Sequence, residues 1–207
     1  MRLSDKAYHL IKHKIVTLEL PPLSAIDEQA LMEDIHLGRT PIREALQRLA
    51  SEDLVLLAPR RGMFVSDISI TGLQKIFEAR MILEGACARL AAERATSRQL
   101  VEMRSLMSQM RSVPDDNSEA LMEIDERFHE LLYEAADNEY LTDSLRRLHT
   151  LSFRIWHMVL DRLESVKGAM EQHIEITDAL EKRDGGRAEA LLQKHISDFQ
   201  QEIKSAL

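Results

Sequence analysis

Asp125, His129, His173 and His195 are the residues whose types and spacing carry the clearest chemistry in this sequence. Asp125 and His129 are four apart, so on a helix they share one face, together with the apolar Leu121, Met122, Phe128 and Leu132. His173 falls on a stripe with Ile176 and Leu180, and His195 on one with Leu191, Leu192 and Phe199. The midpoint between these two histidines is Asp184, just before Gly185-Gly186. A helical hairpin turning there sets both imidazoles about 16 Å from the turn, facing each other. A carboxylate and three imidazoles meeting inside an apolar bundle make a ligand set for a divalent metal, because a buried unpaired Asp is costly and a cation cancels the cost. Four such ligands close a tetrahedral zinc site or leave positions open on an octahedral ion, so zinc comes first and nickel or manganese also fit. A lone buried histidine is more often a satisfied core residue, and His9, His13, His36, His149 and His157 are read that way. A di-iron carboxylate bundle needs two Glu-x-x-His motifs, and only Glu126-Arg-Phe-His129 qualifies.

A second set of residues is cationic. Arg39, Arg43, Arg48, Arg60 and Arg61 outnumber the acidic residues over positions 39–61, in a chain whose net charge is -8. Most of that acidity falls after residue 69, so a local basic stripe survives in an acidic protein. Arg39 and Arg43, four apart, project from one helix face, and the planar guanidinium fork suits guanine edges or phosphates.

The elements that must hold these residues divide into two parts. In the first, Ala7, Leu10, Ile11 and Ile15 line a helix that ends before Pro21-Pro22, and a second helix runs from an Asp27 cap to Ile35. A third starts at Gly38, tolerates Pro41 in its first turn, and buries Ile42, Ala45, Leu46 and Leu49. Two β-like runs, 54–57 and 63–65, flank Ala58-Pro-Arg-Arg-Gly62 and predict a hairpin with a basic tip. Together these form a winged helix-turn-helix whose third helix enters the major groove of DNA. In the second part, six helices are expected over 71–95, 98–112, 118–136, 139–161, 163–183 and 187–205, with a stripe such as Leu141, Leu145, Leu148, Phe153 and Trp156 facing inward. The fold class is therefore mostly α: a winged helix-turn-helix at 1–69 and an all-helical antiparallel bundle at 70–207. Aromatics at 4%, with 7 glycines and 5 prolines, agree with that content. The single Cys87 excludes a disulfide scaffold, and the absence of a long apolar run or signal-like start excludes export and membrane insertion, so a cytoplasmic protein is expected.

Leu37-Gly-Arg-Thr-Pro-Ile-Arg-Glu-Ala-Leu46, Arg48-Leu49, Leu54-Val55 and Pro59-Arg-Arg-Gly62-Met-Phe-Val65 resemble the DNA-binding domain of GntR-type bacterial transcription regulators. The resemblance implies DNA contacts from Arg39, Thr40, Arg43, Arg61 and Gly62. It departs from the family in having Gly38 for the usual Ser, His36 for Gly, and Gln29 where Arg or Lys is common, so Gln29 is expected to alter sequence preference. Glu78-Ala-Arg80 with Glu84, Asp125-x-x-Phe128-His129, Asn138, His173-x-x-Ile176 and His195 resemble the FCD effector-binding domain of the FadR subfamily. That implies a divalent metal at Asp125, His129, His173 and His195, a small carboxylic acid as effector with Arg80 and Asn138 as its contacts, and pairing through the helical domain. A homodimer reading a palindromic operator follows, since one recognition helix reads only a few base pairs. An Arg80–Glu84 surface ion pair is the plainer account of Arg80. Two rivals stand beside a carboxylate-sensing regulator: one that responds to the metal itself, and a metal-dependent bundle enzyme, for which no spare general base or nucleophile motif is apparent.

Overall fold

The computed structural model describes residues 1–162 and 166–207. They form two compact units, Met1–Leu73 with Thr150–Met158, and Gln74–His149 with Val159–Leu207. The protein is mostly α, with one two-stranded sheet among the described residues.

In the first unit, α1 (Leu3–Val16), α2 (Glu28–Ile35) and α3 (Arg39–Ser51) precede β1 (Val55–Ala58) and β2 (Gly62–Val65). Ala7, Ile11 and Ile15 of α1 are fully buried at i, i+4 spacing, and Ile42, Leu46 and Leu49 of α3 close the core with them. Leu10, expected inside, is turned outward, and Tyr8 takes the buried place. The reason is the partner that Tyr8 finds: its ring lies under the Arg48 guanidinium at 3.7 Å and its hydroxyl donates to Glu52 at 2.8 Å. Asp27 caps α2 as expected, accepting from the backbone N–H groups of Gln29 and Ala30. Gly38 caps α3 without a side-chain bond. The strands are antiparallel, and Ala58 and Gly62, expected in the turn, pair as its last rung. Gly62 has φ of +100°, a conformation that glycine alone adopts without strain. From the segment Thr150–Met158 of the same unit, the buried Arg154 donates to the Ser66 carbonyl at 2.8 Å, and burial pushes its guanidinium down to about 10.

The second unit is built on α4 (Ile70–Arg94), α5 (Ser97–Ser112), α6 (Ser118–Ala135), α7 (Glu139–Val159), α8 (Val166–Met170), α9 (Gln172–Glu181) and α10 (Gly185–Ala206). Thr96, Asn117, Asn138 and Asp184 cap α5, α6, α7 and α10 with their side chains. The α6–α7 hairpin turns through Ala136–Asn138, where Thr142 Oγ1 donates to the Tyr133 carbonyl. Antiparallel to α10 runs α4, with Phe77 against Phe199 at one end; at the other a Cβ on Gly185 would meet the Arg89 carbonyl oxygen at 3.2 Å, so the helices approach this closely because glycine stands there.

The expected single helix 163–183 is instead broken. A 3-10 turn covers Leu160–Arg162, residues 163–165 lie outside the described residues, and α8 and α9 are separated by a tight turn at Glu171. There the Glu171 N–H bonds to the Gly168 carbonyl and the Ile174 N–H to the Glu171 carbonyl, both one residue tighter than α-helical spacing, beside a glycine that weakens the helix. Among the described residues no helix is long and apolar enough to cross a membrane.

Candidate functional site

Asp125 and His129 come from α6, His173 from α9 and His195 from α10, and one ligand atom from each lies within 4.8 Å of all the others. All four side chains are buried. Asp125 Oδ1 lies 3.5 Å from His173 Nε2 and 3.9 Å from His129 Nε2. The rings of His173 and His195 face each other at 4.4 Å across the α9–α10 hairpin, and Phe128 covers His173 at 4.3 Å. The four ligand candidates of the sequence are thus brought together. A fifth imidazole, His149 on α7, joins them: it is buried, with Nε2 3.7 Å from Asp125 Oδ2. The sequence alone reads His149 as an ordinary core position.

The electrostatics suit a cation. Burial alone would push the Asp125 carboxyl up, but the surrounding imidazoles of His129, His149 and His173 hold it below the usual carboxylate range, so it stays negative. Burial pushes His173 well below the ordinary imidazole value, and His149 and His195 down to about 4. At neutral pH these three are neutral and can donate a lone pair. Among the described residues His173 Nε2 and His195 Nδ1 have no hydrogen-bond partner although both are buried. Buried nitrogens without partners around an ionised carboxylate are what a divalent ion would satisfy, so the donor set fits one.

Arg80 and Glu84 of α4 stand next to this cluster. They form the expected i, i+4 ion pair, with Nε to Oε1 at 2.5 Å, but inside the bundle, at 2% and 0% exposure. Burial would push the Glu84 carboxyl up, yet Arg80 and then His129 hold it well below its usual range. Tyr133 of α6 is also buried and its hydroxyl is pushed well above its ordinary value, first by burial and then by Glu84. Asn138, the other expected effector contact, is the α7 cap, accepting from the Leu141 N–H at 3.3 Å. It precedes His149 on that helix by about 16 Å of rise.

The residues expected to face DNA lie together in the first unit and are all exposed: Gln29 on α2, Arg39, Thr40 and Arg43 in the first turns of α3, and Arg61 and Gly62 at the hairpin tip. Arg43 Nε is held by Glu28 at 2.8 Å, and Gln29 Nε2 donates to Glu33 at 3.3 Å. The apolar stripe of α3 is buried opposite the arginines, so their direction is fixed by the core.

Residues 3–65 match the gntR family of bacterial regulatory proteins, and residues 75–198 match the FCD domain. The HTH-type transcriptional repressor RspR of Escherichia coli is 27% identical over 202 residues, covering 97% of this chain and 89% of that protein. The HTH-type transcriptional regulator LutR of Bacillus subtilis is 26% identical over 205 residues, covering 88% and 92%. Among solved structures, Escherichia coli McbR/YncC superposes with a TM-score of 0.88 at 20% identity, covering 99% of this chain and 98% of its own. A GntR regulator from a Rhodococcus species does so with a TM-score of 0.76 at 21% identity, with the same coverage. Relatives over nearly the whole length are named as regulators rather than enzymes. The chain is therefore a DNA-binding regulator with an effector-sensing helical domain, and it belongs to the GntR family of bacterial transcription regulators, in the FadR subfamily that carries an FCD domain.

Proposed function

We propose that a small carboxylic acid, bound at a divalent metal ion held by Asp125, His129, His173 and His195, controls the operator affinity of this regulator. The observation that carries the reading is the buried Asp125 converging with three buried histidines, of which His173 and His195 carry nitrogens without hydrogen-bond partners, with a buried arginine alongside. One Asp and three neutral imidazoles leave a divalent ion with a net charge of about +1, so a carboxylate oxygen entering an open position gains a bond and neutralises charge. Arg80 is the cation for a second acid oxygen, by virtue of its planar fork. Zinc suits three nitrogens and one oxygen best, with nickel and manganese as alternatives. Residues 1–69 serve as the DNA-binding domain and 70–207 as the effector and dimerisation domain. Two copies pair to read a palindromic operator through Arg39, Thr40, Arg43, Arg61, Gly62 and Gln29.

Operator binding measured across a panel of small carboxylic acids, with metal present and after chelation, tests the proposal. The acid response should vanish on chelation and return with Zn2+, and neutral amide analogues should be inert. Arg80→Lys, which keeps the charge against Glu84 but loses the fork, should weaken the acid response while metal content stays unchanged. An acid that acts equally on metal-free protein overturns the mechanism. Full control of operator affinity by the ion alone makes the protein a metal-responsive regulator instead.

A further inference from the structure

Glu84 has no part in the reading above, yet it is fully buried and lies between two of its components. Its Oε1 accepts from Arg80 Nε at 2.5 Å, while Oε2 lies 3.0 Å from Nδ1 of His129. A neutral imidazole offers one nitrogen to a metal and keeps a proton on the other. Which nitrogen does which is decided by the acceptor that the protein sets against the protonated one. For His129 that acceptor stands at Nδ1, and Nε2 is the nitrogen nearest Asp125 Oδ1, at 3.9 Å. As the ring stands, neither Glu84 Oε2 nor His129 Nδ1 makes a well-directed hydrogen bond. The 3.0 Å separation is within hydrogen-bonding range, and what is lacking is direction. A buried carboxylate in this position needs a countercharge, and Arg80, itself buried, supplies it.

We propose that Glu84 is a positioning residue for the metal site: it holds His129 as the Nδ1-protonated tautomer, so that Nε2 is the nitrogen presented to the ion, while Arg80, bonded to the other carboxylate oxygen, fixes Glu84 in place. The inference rests on the metal reading above, and it assigns to Arg80 a structural duty independent of any acid. An apolar residue at position 84 would leave the Nδ1 proton of His129 without its acceptor, freeing the ring to turn and weakening the ligand.

Co2+ is the probe, because its visible absorption reports ligand number and geometry. In competition with a chelator, the wild-type protein takes up about one Co2+ per chain, as a single four-ligand site requires. Arg80→Met/Glu84→Met removes both buried charges together and should bind Co2+ roughly 10- to 100-fold more weakly, with a shifted spectrum. Arg80→Met/Glu84→Gln shares the loss of the ion pair but returns an oxygen acceptor to Nδ1, and should recover most of the affinity and the wild-type spectrum. Equal affinity in wild type and the double Met variant overturns the proposal, and so does a Gln variant no better than Met. Should the double variants not fold, the wild type decides by itself. In 15N-labelled protein loaded with Zn2+, His129, identified by the signals lost in His129→Asn, should carry its proton on Nδ1, and a proton on Nε2 overturns the assignment. A wild-type protein that takes up neither Co2+ nor Zn2+ fails the metal reading itself, an outcome distinct from a loaded wild type that is indifferent to position 84.

Discussion

The helix-turn-helix segment and the helical bundle differ in what they bury besides apolar side chains. Among the described residues every buried residue before Arg80 is hydrophobic, the buried Arg154 of the first unit coming from the Thr150–Met158 segment, and the arginines of α3 and the hairpin tip are outside. The bundle instead encloses Arg80, Glu84, Asp125, His129, His149, His173 and His195. An apolar core is stable without further partners and holds one shape, which is what a surface for reading DNA needs. A core of coupled charges depends on mutual compensation, and removing any member leaves another uncompensated. Whatever binds there therefore changes the stability and the preferred arrangement of the helices around it. In the proposed function the two domains divide the work of a regulator accordingly, with chemistry on the exterior of one and in the interior of the other.

The largest effects separate the two cores. Leu46→Ala removes a fully buried side chain from the winged domain and should cost about 2–5 kcal/mol in denaturant unfolding, abolishing operator binding at 37 °C while Zn2+ uptake by the bundle persists. Parallel loss of metal uptake would show that the two cores do not act separately. Next comes the ion. With free Zn2+ at about a hundredfold above Kd, linkage stabilises the protein by about 2.7 kcal/mol, read as a rise in thermal midpoint. His173→Ala/His195→Ala should erase that rise, and a rise that survives the double substitution would place the ion elsewhere.

Much of this division was legible in the residues. Helix starts are written in caps such as Asp27, Thr96 and Asp184, and the inward faces of α3 and α6 in their apolar spacing, so these elements fall within a residue or two of expectation. The break at Glu171 was not, because one glycine at 168 lowers helix propensity only mildly and tertiary contacts decide the rest. All four ligand candidates lie on helix faces whose neighbours are apolar, and the hairpin midpoint at Asp184 aligns His173 with His195. The same arithmetic applied to the α6–α7 turn puts the midpoint of Asp125 and His149 at Asp137, which is where that hairpin turns. A stripe through Leu148 leaves His149 out, whereas the buried positions in the first half of α7 include Thr142, Leu145 and His149. Arg80 and Glu84 read as a surface pair for a similar reason. Their burial is signalled by Phe77, Cys87, Ala88 and Ala91, which continue the same α4 face.

On the exposed side of the comparison, Arg39→Ala and Arg43→Ala should each cost about 1–3 kcal/mol in operator binding if the guanidinium reads a base, or lower the salt slope by about one if it holds a phosphate. Neither should alter Zn2+ content or the thermal midpoint, because both side chains lie outside the core. A change in metal binding in either variant would contradict the separation of surface and interior chemistry.

The smallest expected effect concerns Arg43 alone. In the free protein its Nε is held by Glu28 at 2.8 Å, an ion pair in which the arginine side chain is 55% exposed and the glutamate 21%. An arginine that reaches a base or a phosphate must leave that carboxylate, and the carboxylate itself then stands close to a polyanion. Glu28→Gln keeps the shape and a hydrogen-bond acceptor but removes the charge, so the free state loses a partly exposed pair worth about 0–1 kcal/mol while the bound state loses a repulsion. Operator affinity should therefore rise, by about twofold to fivefold, an amount on the order of 0.4–1 kcal/mol. The gain should disappear in an Arg43→Ala background, where there is no pair to break, apart from the residual repulsion between Glu28 and phosphate. Titration of labelled operator at fixed salt measures this. An unchanged or weaker affinity in Glu28→Gln would mean that Glu28 serves the complex by orienting Arg43 rather than by restraining it, and the apolar core of α3 would then not be sufficient to aim the guanidinium.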